Sequence, residues 1–69
     1  MQGEAADIHI PTVPDATLAR WCARNLPVYD QIILEPSWVH VSLDAQGRNR
    51  RQTLRATQTA RGMVYSPIT

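Results

Sequence analysis

The chain has 69 residues, of which 43% are hydrophobic and 19% charged, and its formal net charge is +1. This length leaves room for one small domain, and the composition is that of a globular protein, which excludes a disordered or fibrous chain. No apolar run reaches the roughly 20 residues that cross a bilayer, and no signal peptide is recognisable, so we expect no membrane partner and, by default, a cytoplasmic location. Cys22 is the only cysteine, which excludes an intrachain disulfide and a cysteine-based zinc knuckle.

Charge is distributed unevenly along the chain. Residues 1–44 hold all six acids and two arginines, a net charge of −4, whereas residues 45–69 hold five arginines and no acid, a net charge of +5. This contrast predicts a core segment, 1–44, followed by a basic tail, 45–69.

The first predicted elements are a short strand and a helix. The strand covers about 5–10, because this segment ends in β-branched residues and stops at Pro11. Alternation along it places Asp7 and His9 on the face opposite Ile8. The helix covers about 15–26 and ends before Pro27. Its apolar stripe, which we expect in the core, consists of Leu18, Trp21, Cys22 and Leu26.

A β-hairpin is predicted next, from an apolar run at 29–35 and an alternating run at 38–43 around Pro36. The pairing that suits both runs places Ile33 opposite His40 and Glu35 beside Trp38. Glu35 and His40 then share a face. The opposite face is apolar and can pack against the helix, and it consists of Ile32, Leu34, Val39, Val41 and Leu43.

The tail begins with a turn at 44–47 and a stretch, 48–51, that is too polar to bury. Two short strand-like runs, 53–57 and 63–65, then predict a weak hairpin, which fraying or partial disorder can override. The predicted fold is therefore α+β: a small antiparallel sheet with one amphipathic helix on one face, in the order β-α-β-β, with room for an extra C-terminal hairpin.

Two segments resemble motifs of a known enzyme family. Residues 3–8, Gly-Glu-Ala-Ala-Asp-Ile, resemble the end of the motif Ser-x-His-x-x-Gly-x-Ala-x-Asp, and residues 30–35 with Trp38-Val39-His40-Val41-Ser42 resemble the second motif. Both are typical of the zinc D-Ala-D-Ala carboxypeptidase and endolysin peptidases of the Hedgehog/DD-peptidase fold. The similarity spans about residues 3–43, and 49–67 looks like the tail of the phage-type branch.

The resemblance implies a zinc metallopeptidase that hydrolyses D-amino-acid peptide bonds in bacterial peptidoglycan. By position it makes Asp7 and His40 the second and third of three metal ligands. The first ligand, a histidine seven residues before Asp7, falls immediately before Met1. The expectation is therefore an N-terminally truncated, inactive form of the enzyme that binds zinc weakly or not at all, since catalytic zinc sites normally use three protein ligands.

A catalytic zinc site also needs a carboxylate that accepts a proton from the attacking water. Glu35 is the candidate base because it shares a face with His40, although several relatives place their base three residues before the last histidine rather than five. Asp30 is the reserve candidate, on the opposite face by alternation. Trp38, next to the ligand strand, is the candidate wall of a substrate cleft.

Two alternatives stay open at this stage. His9 lies two residues after Asp7 on the same face and offers a replacement ligand, against the more common role of a hydrogen-bonded surface histidine. The chain is alternatively a non-catalytic binding module whose arginine-rich tail contacts nucleic acid or an anionic wall polymer. Nucleic acid is disfavoured because residues 45–64 contain no aromatic side chain among the basic ones. The sequence does not indicate an oligomeric state.

Overall fold

The computed structural model describes residues 4–68 and contains one helix and five strands in that range. Their order and bounds are β1 (Ala5–Ile8), α1 (Asp15–Asn25), β2 (Gln31–Leu34), β3 (Val39–Ser42), β4 (Gln52–Thr59) and β5 (Gly62–Pro67). The predicted α+β fold and its C-terminal hairpin are confirmed. No helix within residues 4–68 combines the length and the apolar character needed to cross a bilayer.

The strands form one sheet in the order β1-β3-β2-β4-β5. β3 pairs antiparallel with β1 and β2, and its register with β2 is the predicted one, with Ile33 opposite His40. β4 lies parallel to β2 on the other side, and β5 pairs antiparallel with β4. The sheet is thus mixed, whereas the sequence predicted antiparallel pairing, because no local pattern specifies which distant strand becomes the second neighbour of β2.

One face of the sheet is covered by α1 and contains the core. The helix contributes Leu18, Ala19 and Cys22, while Ile32 and Val39 of the sheet have no exposed surface. Burying a side chain of this size contributes about 1.5–3 kcal/mol, so this layer is the main source of stability. The predicted apolar face is confirmed here except at its end, where Leu43 is 39% exposed.

The other face carries no helix within the described residues, and we call it the open face. Its members follow from strand register and alternation. One row across the five strands consists of Asp7, His40, Ile33, Leu54 and Pro67. The open face is therefore polar toward β1 and apolar toward β5.

A nine-residue connection, 43–51, carries the chain from β3 across the start of β2 into β4. It begins with the predicted turn, in which the Gly47 N–H donates to the Asp44 carbonyl at 3.1 Å. Gly47 has φ +76°, a backbone conformation that favours glycine. The Asp44 carboxylate then accepts bonds from the backbone N–H and the Nε of Arg48, at 2.9 and 3.1 Å, which fixes the connection locally.

Arg51, at the end of this connection, binds the C-terminal end of α1. Its guanidinium lies within 3.1–3.4 Å of three carbonyl oxygens, those of Ala23, Leu26 and Pro27, and 4.6 Å from the ring centroid of the buried Tyr29. Carbonyls at a helix end have no partner within the helix, so a cation there both satisfies them and complements the helix dipole. Arg51 itself has φ +55°, which is uncommon outside glycine. Residues of the basic segment therefore complete the helix.

Candidate functional site

The pairing of β1 with β3 places the two predicted metal ligands opposite each other. Asp7 and His40 are register partners on the open face, and Asp7 Oδ1 lies 2.9 Å from His40 Nδ1. A carboxylate only accepts hydrogen bonds, so the imidazole Nδ1–H is the donor, and Nε2 has no hydrogen-bond partner within residues 4–68. The Asp7 side chain is 62% exposed and that of His40 31% exposed, so both are accessible from the open face.

The donor atoms of this pair suit a zinc ion in type and in spacing. Imidazole nitrogen and carboxylate oxygen are common zinc ligands, and bonds of about 2.0–2.2 Å in a tetrahedron separate two ligand atoms by about 3.4 Å. The pair needs to open by only about half an ångström from its 2.9 Å contact, after the proton between the two atoms has left. The residues present therefore fit two positions of a zinc site.

A third ligand does not join this pair within the described part of the chain. No group of three or more histidine, cysteine, aspartate or glutamate side chains suited to a metal occurs in residues 4–68. His9, the alternative ligand, instead places its Nδ1 3.1 Å from Asp15 Oδ1 at the start of α1. His9 is therefore a hydrogen-bonded surface histidine. Its contact with Asp15 connects the end of β1 to the helix.

Glu35, the predicted base, lies just beyond the end of β2 in the turn that leads to β3. Its backbone N–H donates to the Trp38 carbonyl at 2.9 Å, which confirms the predicted neighbourhood of these two residues. Glu35 is half-buried and lines a shallow hollow of about 560 Å³ together with Asp15 and Arg55. No hydrogen bond joins Glu35 to His40 within residues 4–68, and the hollow also includes Ala16 and Leu34 on the helix side of the sheet, so the role of Glu35 as the base stays a prediction.

Trp38 lies immediately before β3, and alternation continued from that strand places it on the open face with His40. Its side chain is 38% exposed. The indole is therefore partly accessible, and its role as the wall of a substrate cleft stays a prediction.

Asp30, the reserve base, is engaged by Arg50 in a charged fork. The Arg50 Nε lies 2.9 Å from Oδ1 and its terminal nitrogen 3.0 Å from Oδ2, and the Arg50 backbone N–H also donates to Oδ1. These side-chain and backbone hydrogen bonds lower the pKa of Asp30 to about 2. A carboxylate this acidic is a poor proton acceptor near neutral pH, which argues against Asp30 as the base.

The ion pairs at Asp30 and Asp44 line a surface hollow of about 310 Å³, whose other members are Arg48 and Arg50. Hydrogen bonds from the backbone and side chain of Arg48 also lower the pKa of Asp44. Each of the four charged groups that line the hollow is therefore paired with another of them. Sequence reasoning missed these pairs, although the opposite charges of the two segments were the available signal.

Two helix residues that were predicted to lie in the core differ in their burial. Cys22 is buried at 3% exposure, and burial raises the pKa of its thiol, so it is a core residue as predicted. Trp21 is 57% exposed, which corrects the prediction that it belongs to the core. The helix covers β2 and β3 but leaves β1 open, so Trp21 only borders an apolar groove of about 420 Å³ with Ile10 and Leu43.

We compared the chain with known protein families, curated proteins and solved structures. The chain matches no family model, no curated protein and no solved structure. The likeness to zinc peptidases therefore rests on the quoted sequence motifs.

Proposed function

We propose that this chain carries part of the zinc site of a metallopeptidase that cleaves peptide bonds of D-amino acids in bacterial peptidoglycan. The observation that carries the proposal is the contact of 2.9 Å between Asp7 and His40 on the open face. The motif resemblance selected these two residues from separate segments, 33 positions apart. Their side chains lie close enough on adjacent strands to bind one ion, which supports the proposal.

The roles we assign come from the motif resemblance, and the pairing of β1 with β3 supports them for Asp7 and His40. Asp7 and His40 hold the metal, which when bound lowers the pKa of its water and polarises the scissile carbonyl. The Glu35 carboxylate takes the proton that the water gives up. Trp38 orients the substrate by contact with its apolar part.

The chain by itself is expected to bind zinc weakly and to show no measurable peptidase activity. The sequence contains only two histidines, and His9 bonds to Asp15 rather than facing His40. A site with two protein ligands holds zinc less firmly than the three-ligand sites of zinc enzymes. Robust zinc-dependent cleavage of a peptide ending in D-Ala-D-Ala contradicts this expectation.

The alternative function, a tail that binds nucleic acid or an anionic wall polymer, receives less support. Arg48 and Arg50 are paired with acids, and Arg51 binds helix carbonyls. Within the described residues, Arg55 and Arg61 are the two arginines of the segment whose side chains make neither a salt bridge nor a hydrogen bond, which leaves only two cations for a polyanion. This alternative stays a prediction, and a steep loss of affinity with salt is its signature.

The proposed function is tested by NMR with zinc and two peptides. Zinc should shift the His40 ring resonances and leave those of His9 nearly unchanged. In the presence of zinc, a peptide ending in D-Ala-D-Ala should then shift Trp38 and Ser42 on the open face, and the L-Ala-L-Ala peptide should not.

His40→Ala is the matched variant, with His9→Ala as its control. We expect His40→Ala to weaken zinc binding at least about tenfold, since it removes one of two ligands, and His9→Ala to change it little. The metal part of the proposal fails if zinc shifts neither His40 nor Asp7. The substrate part fails if the D and L peptides act alike at millimolar concentration.

A further inference from the structure

The two edge strands of the described sheet differ in how they are protected against pairing with another strand. β1 has four residues and bears the exposed, charged Asp7. β5 has six residues, Gly-Met-Val-Tyr-Ser-Pro, and none of them is charged. Natural edge strands avoid unwanted pairing by shortness, charge, bulges or proline, and β5 has only the proline at its end.

The hydrogen-bond pattern shows which backbone groups of β5 face outward. The Ile68 N–H donates to the Thr53 carbonyl of the β4 side at 3.1 Å. In an antiparallel pair, bonded residues alternate, so Val64 and Ser66 also turn their backbone groups toward β4. Met63 and Tyr65 therefore direct their N–H and C=O groups to the free edge.

The side chains along this edge are apolar and exposed on both faces of the sheet. Met63 is 37% exposed, Val64 49% and Tyr65 52%. Met63 and Tyr65 lie on the open face and Val64 on the helix face, by alternation. Three consecutive apolar side chains beside unbonded backbone groups form a surface that loses water readily when a strand is added.

We propose that β5 pairs antiparallel with β5 of a second copy of this chain, across a twofold axis, so that one sheet runs through both copies. In the register with Met63 opposite Tyr65 of the partner subunit, the outward N–H and C=O groups of these residues form four hydrogen bonds. Val64 and Val64 of the partner subunit meet at the axis. This register brings no like charges together, because Arg61 and its symmetry mate lie at opposite ends of the paired strands.

A second copy suits this edge for two reasons. An isologous contact needs a surface that complements itself, and an uncharged strand with equal numbers of donors and acceptors at Met63 and Tyr65 does so. Both partners also bury the same apolar side chains. Three side chains and four hydrogen bonds form a contact smaller than the about 800 Å² per partner of a stable dimer, so we expect a weak dimer with a dissociation constant on the order of 0.1 mM.

Sedimentation equilibrium, followed over two decades of concentration around about 0.1 mM, measures the dimer directly. Amide hydrogen exchange adds the signature of the register. Exchange at Met63 and Tyr65 should slow as concentration rises, while exchange at Val64 should not depend on concentration because it is already bonded to β4. Amides of Ala5 and Asp7 on the other edge serve as the internal control.

Val64→Lys places two cations against each other on the axis and should weaken dimerisation at least about tenfold. The matched control is Thr57→Lys, which adds the same charge at the register partner of Val64 on β4, away from the edge. Circular dichroism of both variants establishes that each is folded. The proposal is overturned by a chain that stays monomeric throughout, by aggregation without a dimer plateau, or by concentration-dependent protection of β1 instead of β5. None of these measurements depends on zinc or peptidase chemistry.

Discussion

Two acid and base pairs in this protein have the same contact distance but different surroundings. Asp7 meets His40 at 2.9 Å, and Asp30 meets Arg50 at 2.9 Å. The Asp30 side chain is only 13% exposed and uses both oxygens on Arg50, whereas that of Asp7 is 62% exposed and makes a single bond. Arg50 uses the hydrogen-bonding capacity of the Asp30 carboxylate, so this pair stabilises the fold. The Asp7 carboxylate makes one hydrogen bond in the described residues, so it can still bind a ligand.

The largest effect on stability is expected at Arg51, which lies beside Arg50 in the connection 43–51 and, like Asp30 and Arg50, stabilises the fold. Arg51→Ala removes the cation from the end of α1 and from the Tyr29 ring, and we expect a loss of about 2 kcal/mol in the free energy of unfolding. Urea denaturation measures the loss. Arg55→Ala is the control, because Arg55 is exposed and has no salt bridge within residues 4–68, and it should change stability by less than about 0.5 kcal/mol.

Equal losses for the two arginine variants contradict the role given to Arg51. Arg51→Lys adds a finer distinction. It keeps the charge but loses the planar fork that reaches several carbonyls, so its stability should fall between those of the other two proteins.

A smaller change in stability is expected when acid protonates Asp30. The folded pKa of Asp30, about 2, lies below the ordinary value of 3.8, so the pair stabilises the fold fully above about pH 4. That contribution is lost as pH falls from about 4 to about 2. Asp30→Asn should therefore be less stable than the wild type at pH 6 and should lose less stability across this window, as measured by thermal unfolding at each pH. Parallel pH profiles contradict the prediction.

The smallest effect on stability is expected at the other pair. Asp7→Asn should change the free energy of unfolding by less than about 0.5 kcal/mol, because the contact is exposed and screened by water. The same substitution should abolish the zinc-induced shift of His40. A large loss of stability with unchanged zinc shifts would assign Asp7 to the fold rather than to a metal site.

Much of the fold was predictable because its signals are local. The alternation of 38–43 and the breaker at Pro36 determined the register of β2 with β3, and the structure has Ile33 opposite His40 as predicted. Helix α1 likewise followed from its apolar stripe and from Pro27.

Other features depend on contacts between distant segments and carry no local signal. The sequence did not indicate that β4 would lie parallel to β2, because that pairing is decided by the packing of residues 43–51 across the start of β2. Trp21 was assigned to the core because helical periodicity identifies the side that faces the sheet but not how far the sheet extends beneath it. The unequal charges of the two segments were visible, but their mutual pairing was not.

The candidate site lies between these extremes. Alternation alone placed Asp7 and His40 each on a polar face, but only the motif resemblance connected the two strands. The structure brings the two side chains into contact. The proximity of Glu35 and Trp38 to each other is confirmed. Their roles as base and cleft wall stay predictions.

The position of β2 in the middle of the sheet has a consequence for folding of the chain. Until β4 docks, one side of β2 is an unprotected template of four uncharged residues. Partly folded chains with such an open side are prone to associate with each other. The rate at which β4 reaches β2, or a chaperone that holds this intermediate, then governs how much of the protein escapes association.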